Sequence, residues 1–75
     1  MKQLTQAVFN GAPEWVKTFA LDSNGELHAY AVEKKYLSSC HLYHHAPLGS
    51  YSEFYDDGYD ASDWENSAIE KESAK

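Results

Sequence analysis

Arginine is absent from this chain, and cysteine and proline are scarce: among 75 residues there is one cysteine and there are two prolines. Each shortage excludes something. Without arginine the planar, bidentate donor that suits phosphate and guanine recognition is missing, so direct nucleic-acid binding is not expected. A lone Cys40 forms no internal disulfide. No apolar run approaches the roughly 20 residues that a membrane-spanning helix needs, and the opening MKQLTQAVF has no run of signal-peptide length. The expectation is a soluble protein of a reducing cytoplasm.

What is present is aromatic and acidic. Six tyrosines, three phenylalanines and two tryptophans must supply much of the core of a chain this small, which buries only about 60% of the surface its unfolded form exposes. Charge is segregated. Residues 1–51 carry four lysines (Lys2, Lys17, Lys34, Lys35) and four acids (Glu14, Asp22, Glu26, Glu33). Residues 52–75 carry eight acids against Lys71 and Lys75, and so hold the whole net charge of −6. Most of those acids fall in YSEFYDDGYDASDWENS, residues 51–67, among Tyr51, Phe54, Tyr55, Tyr59 and Trp64 and with no lysine or histidine.

The punctuation of the chain predicts a single domain over 1–70 with a frayed tail over 71–75. Thr5 is placed to cap a short helix from Gln6 to Asn10, ended by Gly11 and Pro13. From Trp15 to Leu21 the pattern alternates, with Trp15, Phe19 and Leu21 on one face and Val16, Thr18 and Ala20 on the other. Asp22-Ser23-Asn24-Gly25-Glu26 is a turn sequence, and Leu27 to Val32 reads as the returning strand. Tyr36 to Tyr43 predicts a third strand and Tyr51 to Tyr55 a fourth, with Asp56-Asp57-Gly58 turning the chain. Ser62-Asp63-Trp64-Glu65 fits a capping box that opens a final helix from Asp63 to Glu70. The expected fold class is α+β: a small antiparallel sheet of three to four strands with a short N-terminal helix and a capped C-terminal helix.

No constellation of catalytic residues stands out. Cys40, His41, His44 and His45 form the densest ligand-like cluster, but a strand or a helix would put at most two of them on one face, and His28 is the only remote candidate. Adjacent Cys40 and His41 do not make a nucleophile and base by adjacency, and Ser38, Ser39 and Ser50 lack a nucleophile elbow. Asp56, Asp57 and Asp60 around Gly58 lack the alternate spacing and closing glutamate of a calcium loop. The expectation is therefore a non-enzyme with no cofactor and no metal. Two readings of the acidic stretch stand side by side. It is a solvated rim, or it is a recognition surface, and the self-repulsion of unrelieved charge favours recognition.

The segments VFNGAPEWVKTFALDSNGELHAYA and GYDASDWENSAIEKE resemble small uncharacterised proteins of tailed phages and enterobacterial prophages. In those, a V-F-x-G-x-P opening precedes a strand, a turn and a strand, and a D-W-x-N-S-x-I-E ending closes the chain. The resemblance implies a phage or prophage accessory protein in the cytoplasm of a bacterial host, acting on a host enzyme or defence complex, and implies no catalytic residues. The function expected is binding and inhibition of a host nucleic-acid-handling complex of the restriction or CRISPR kind, with the acidic stretch in the place of DNA. Glu53, Asp56, Asp57, Asp60, Asp63 and Glu65 would meet lysines and arginines of a basic host protein, and Tyr55 and Tyr59 would supply apolar anchorage. The alternative is a structural or assembly module that forms a homo-oligomer through a sheet edge.

Overall fold

In the computed structural model, which describes residues 2–71, the turn sequence after Leu21 does what its residues dictate. Gly25 adopts φ +85° and donates its N–H to the Asp22 carbonyl at 3.0 Å, and the Asn24 carboxamide oxygen accepts from Glu26 N–H at 3.1 Å. Asp22 N–H then donates to the Glu26 carbonyl at 2.9 Å and closes the hairpin. Its strands are β1 (Thr18–Leu21) and β2 (Leu27–Tyr30), paired from Thr18 with Tyr30 to Leu21 with Leu27. The expected hairpin is present, with shorter strands.

This hairpin is the middle of a four-stranded sheet. β5 (Ser52–Asp56) runs antiparallel to β2, and β6 (Ile69–Glu70) runs antiparallel to β1, giving the order β5-β2-β1-β6. A separate two-stranded hairpin, β3 (Ser38–Cys40) and β4 (Tyr43–His45), occupies the stretch expected to be one strand from Tyr36 to Tyr43. His41, at φ +63°, turns the chain there, a conformation that histidine tolerates better than most side chains.

The α+β expectation is wrong: among the described residues there is no α-helix, only single 3₁₀ turns at Gln6–Phe9, Lys34–Tyr36 and Trp64–Asn66. Thr5 does cap, its hydroxyl accepting from Ala7 N–H at 3.3 Å, but the turn fully buries only Phe9, and Gly11, at φ +85°, follows it. At the other end the capping box is not formed. Ser62 donates its N–H to Asp60 at 3.0 Å, and Asp63 accepts from the Asn66 side chain at 3.0 Å. The sheet takes the residues that the helix would have used. Ile69 and Glu70 pair with Phe19 and Thr18, and Lys71 N–H continues the ladder to the Lys17 carbonyl at 3.0 Å. Leu21, two residues further along the same edge, donates its N–H to the Ser67 hydroxyl at 2.8 Å. Satisfying a buried strand's N–H groups outweighs an eight-residue helix, which is marginal by itself. Of the expected tail, all but Lys71 lies outside the described residues.

Both faces of β1 are buried, in keeping with its central place. On one face Phe19, Leu21, Leu27 and Ala29 pack with Phe9 and Val16, covered by Leu4, Val8 and Tyr59. Val16 joins this face, against the alternation expected of it, because the ladder starts only at Thr18 and Lys17 N–H bends to the Tyr30 carbonyl at 2.9 Å. On the other face Ala20, Tyr30 and Ala68 pack with Val32, Leu37 and Ala46. The β3–β4 hairpin is pinned to the sheet by polar bonds: Ser23 N–H to the Leu42 carbonyl at 3.0 Å, His44 N–H to Asp22 Oδ1 at 3.3 Å, and Tyr30 Oη to the His44 carbonyl at 3.3 Å. Burial, aided by the charge of Asp22, pushes the Tyr30 phenol pKa up.

Candidate functional site

The acidic, aromatic stretch begins on an edge strand. Among the described residues β5 is paired on one side only, and its side chains are exposed almost throughout. Ala31 N–H donates to the Tyr51 carbonyl at 3.0 Å, so by antiparallel alternation Tyr51 and Glu53 turn their backbone groups toward β2. Ser52 and Phe54 turn theirs outward, where no strand of the described residues meets them. Side chains alternate as well. Tyr51 and Tyr55 rest edge-on against Trp15 and Phe19, with ring centroids 4.9 and 4.7 Å apart. Phe54, on the other face, meets His28 at 5.8 Å.

Between the two tyrosines, Glu53 accepts from the Tyr51 hydroxyl at 2.7 Å, and this bond, with the charge of Glu53, raises the phenol pKa. Tyr51 remains 56% exposed, Phe54 51% and Tyr55 37%, so these rings are seated from beneath yet open above. Rings held on a fixed platform lose little conformational freedom on binding.

The remaining expected site residues divide. Asp56 ends β5 and takes the Lys2 ammonium at 2.8 Å. That hydrogen bond, with a second from Asp57 N–H, holds its carboxyl below the ordinary range and pushes Lys2 up. Asp60 is held low by Ser62 N–H and by the Gln3 side chain at 3.3 Å. Tyr59 is half-buried against the core, with Lys2 Nζ 5.1 Å from its ring centroid, and its pKa is raised by burial and by Asp56. Its backbone bridges Lys2 in parallel and donates to the Gly25 carbonyl at 3.2 Å. Asp56, Tyr59 and Asp60 thus tie the N-terminal segment to the hairpin turn. Asp63 and Glu65 sit at the Trp64–Asn66 turn, which packs on β1, two strands away from β5. Glu53, Tyr55 and Asp57 are the expected residues left at the edge, and the structure adds Tyr51, whose period-two placement with Glu53 and Tyr55 was the available signal, and Phe54 on the opposite face.

Cys40, His41, His44 and His45 do not converge. Cys40 and His41 are exposed at the hairpin turn, while His44 is buried and its Nε2 donates to the Trp64 carbonyl at 2.8 Å. Among the described residues the donors that do converge are Asp22, Glu26 and His28, all half-buried, with ligand atoms within 4.8 Å of one another. Sequence reasoning missed this trio because it needed the hairpin register. Asp22 and His28 also line a cavity of about 360 Å³ with Tyr30, His44, His45 and Ser52. No helix of the described residues is long and apolar enough to cross a membrane. No protein-family model, curated protein or solved structure matches the chain.

Proposed function

We propose that this chain is a binding protein that docks a basic protein surface along β5 and blocks it. The observation that carries the reading is an unpaired strand edge flanked by half-exposed aromatic rings on a fixed platform and by the carboxylates of Glu53 and Asp57. An exposed edge invites strand addition, in which backbone bonds give affinity and alternate side chains give specificity. Negative charge beside it selects a partner rich in lysine and arginine, the kind of surface that holds phosphates. Inhibition of a host nucleic-acid-handling complex, in the phage or prophage setting that the resemblance implies, is the use this surface suits. Self-association through the same edge is the weaker reading, because pairing β5 with a second β5 would bring Glu53, Asp56 and Asp57 of both copies together.

The test is capture from a bacterial lysate on immobilised protein, followed by elution with duplex DNA and, separately, with salt. A captured basic protein released by both, and retained poorly by a Glu53→Gln/Asp57→Asn variant, is the expected result. Capture that ignores DNA and tolerates the double variant refutes it.

A further inference from the structure

We propose that Asp22, Glu26 and His28 form a binding site for a single first-row divalent cation of the zinc type, which adjoins β5 through Phe54 but uses none of the side chains assigned to docking charge. The hairpin turn builds the site. Asp22 ends β1, Glu26 opens the return, and His28 stands in β2, with the intervening backbone fixed by the bonds that close the turn. His28 Nε2 lies 3.1 Å from Asp22 Oδ2 and 3.4 Å from Glu26 Oε1. Two ligands bound at about 2.0–2.1 Å to one tetrahedral ion stand about 3.3 Å apart, so both separations are compatible with a shared ion, and all three ligand atoms lie within 4.8 Å of one another.

The alternative occupant is a proton on His28. A single Nε2–H has one hydrogen to offer, and two carboxylates face it. A divalent cation satisfies all three donors at once, and two carboxylates with a neutral imidazole match its charge. The imidazole selects zinc and its neighbours over calcium and magnesium, which prefer all-oxygen shells. Support from behind is in place. Asp22 Oδ1 is held by His44 N–H at 3.3 Å, and the Phe54 ring stands edge-on to His28.

A second feature of the same cavity points to a ligand. His44 lines it beside Asp22 and His28, is 7% exposed, and commits Nε2–H to the Trp64 carbonyl. Its Nδ1 is buried with no hydrogen-bond partner among the described residues, an unmet acceptor of the kind that an ordered polar ligand satisfies. The cavity, about 360 Å³, leaves room for an ion and the waters that complete its shell.

Titration of the untagged protein with zinc chloride, followed by calorimetry and repeated with cobalt to read its visible absorption, tests the site. Binding with one-to-one stoichiometry in the micromolar range is expected, with no comparable response to magnesium or calcium. Glu26→Gln and His28→Gln should each weaken it about tenfold or more, and Cys40→Ser should leave it unchanged. Glu26 is partly exposed and its glutamine variant keeps the side-chain shape, so the fold survives there even if His28→Gln loosens it. No binding below millimolar zinc, binding that survives either ligand variant in folded protein, or loss of binding in Cys40→Ser overturns the proposal. None of these readings depends on a protein partner, so failure here leaves the β5 proposal untouched.

Discussion

His44 donates from Nε2 to the Trp64 carbonyl at 2.8 Å, and the two rings meet edge to face with centroids 5.5 Å apart. This contact joins the β3–β4 hairpin to the turn that precedes β6, two segments that the main sheet does not itself connect. Replacing His44 by alanine empties a buried site and should cost about 2–4 kcal/mol, measured by chemical denaturation. Alanine at exposed Cys40 or His45 should change stability by less than about 0.5 kcal/mol. Equal midpoints for His44→Ala and wild type would show that the small hairpin is not clamped.

Ser67 stands where the ladder between β1 and β6 would need a backbone carbonyl. Its hydroxyl accepts from Leu21 N–H at 2.8 Å and donates to the Trp64 carbonyl at 2.7 Å. Ser67→Ala leaves the N–H of a buried strand residue without its acceptor, so about 1–3 kcal/mol of stability should be lost. Ser62→Ala, at the position where the sequence pointed to a helix cap, should cost less, because Ser62 is exposed and caps nothing. The two denaturation midpoints side by side decide between the cap and the ladder.

Gly25 and Gly11 share φ +85° and differ in surroundings. A Cβ at Gly25 would lie 2.7 Å from the Tyr59 carbonyl oxygen, whereas one at Gly11 meets nothing within 4 Å. Both alanine variants carry the left-handed cost of about 1–2 kcal/mol. Gly25→Ala must in addition displace the Tyr59 backbone, which bridges Lys2 and accepts no easy shift. It should therefore unfold at clearly lower denaturant than Gly11→Ala, and equal midpoints would mean that the 58–60 segment rests only loosely on the turn.

The hairpin from Thr18 to Tyr30 was legible because turn chemistry and alternation are local and agree with each other. The C-terminal helix was misread for a physical reason: Ser62-Asp63-Trp64-Glu65 has a real capping pattern, but the demand that overrides it comes from the open edge of β1, over forty residues earlier in the chain. The third strand failed likewise, since nothing in Tyr36 to Tyr43 announces that His41 takes φ +63°. For the acidic stretch, the sequence marked the right residues and merged their roles. Only pairing separates Glu53, bonded within the edge to Tyr51, and Asp57 from Asp56 and Asp60, which hold Lys2 and Gln3. The Asp22, Glu26 and His28 trio was invisible for the opposite reason, because no spacing rule marks it until the register of β1 and β2 is known.

The edge of β5 offers a test that separates strand addition from charge attraction. Ser52 directs its N–H outward, so proline there removes a hydrogen bond that only a partner would make, and proline is tolerated at an edge for that reason. Ser52→Pro should keep the fold and the charge while abolishing docking by strand addition. Glu53→Gln/Asp57→Asn should keep the edge and weaken docking through slower association, an effect that shrinks as salt screens exposed charges over about 10 Å at 0.1 M. Measured by surface plasmon resonance on the captured partner, the proline variant should fail at every ionic strength and the double variant mainly at low salt. If Ser52→Pro, shown to be folded by circular dichroism, binds as wild type does, the partner does not add a strand to β5, and the carboxylates alone would have to account for recognition.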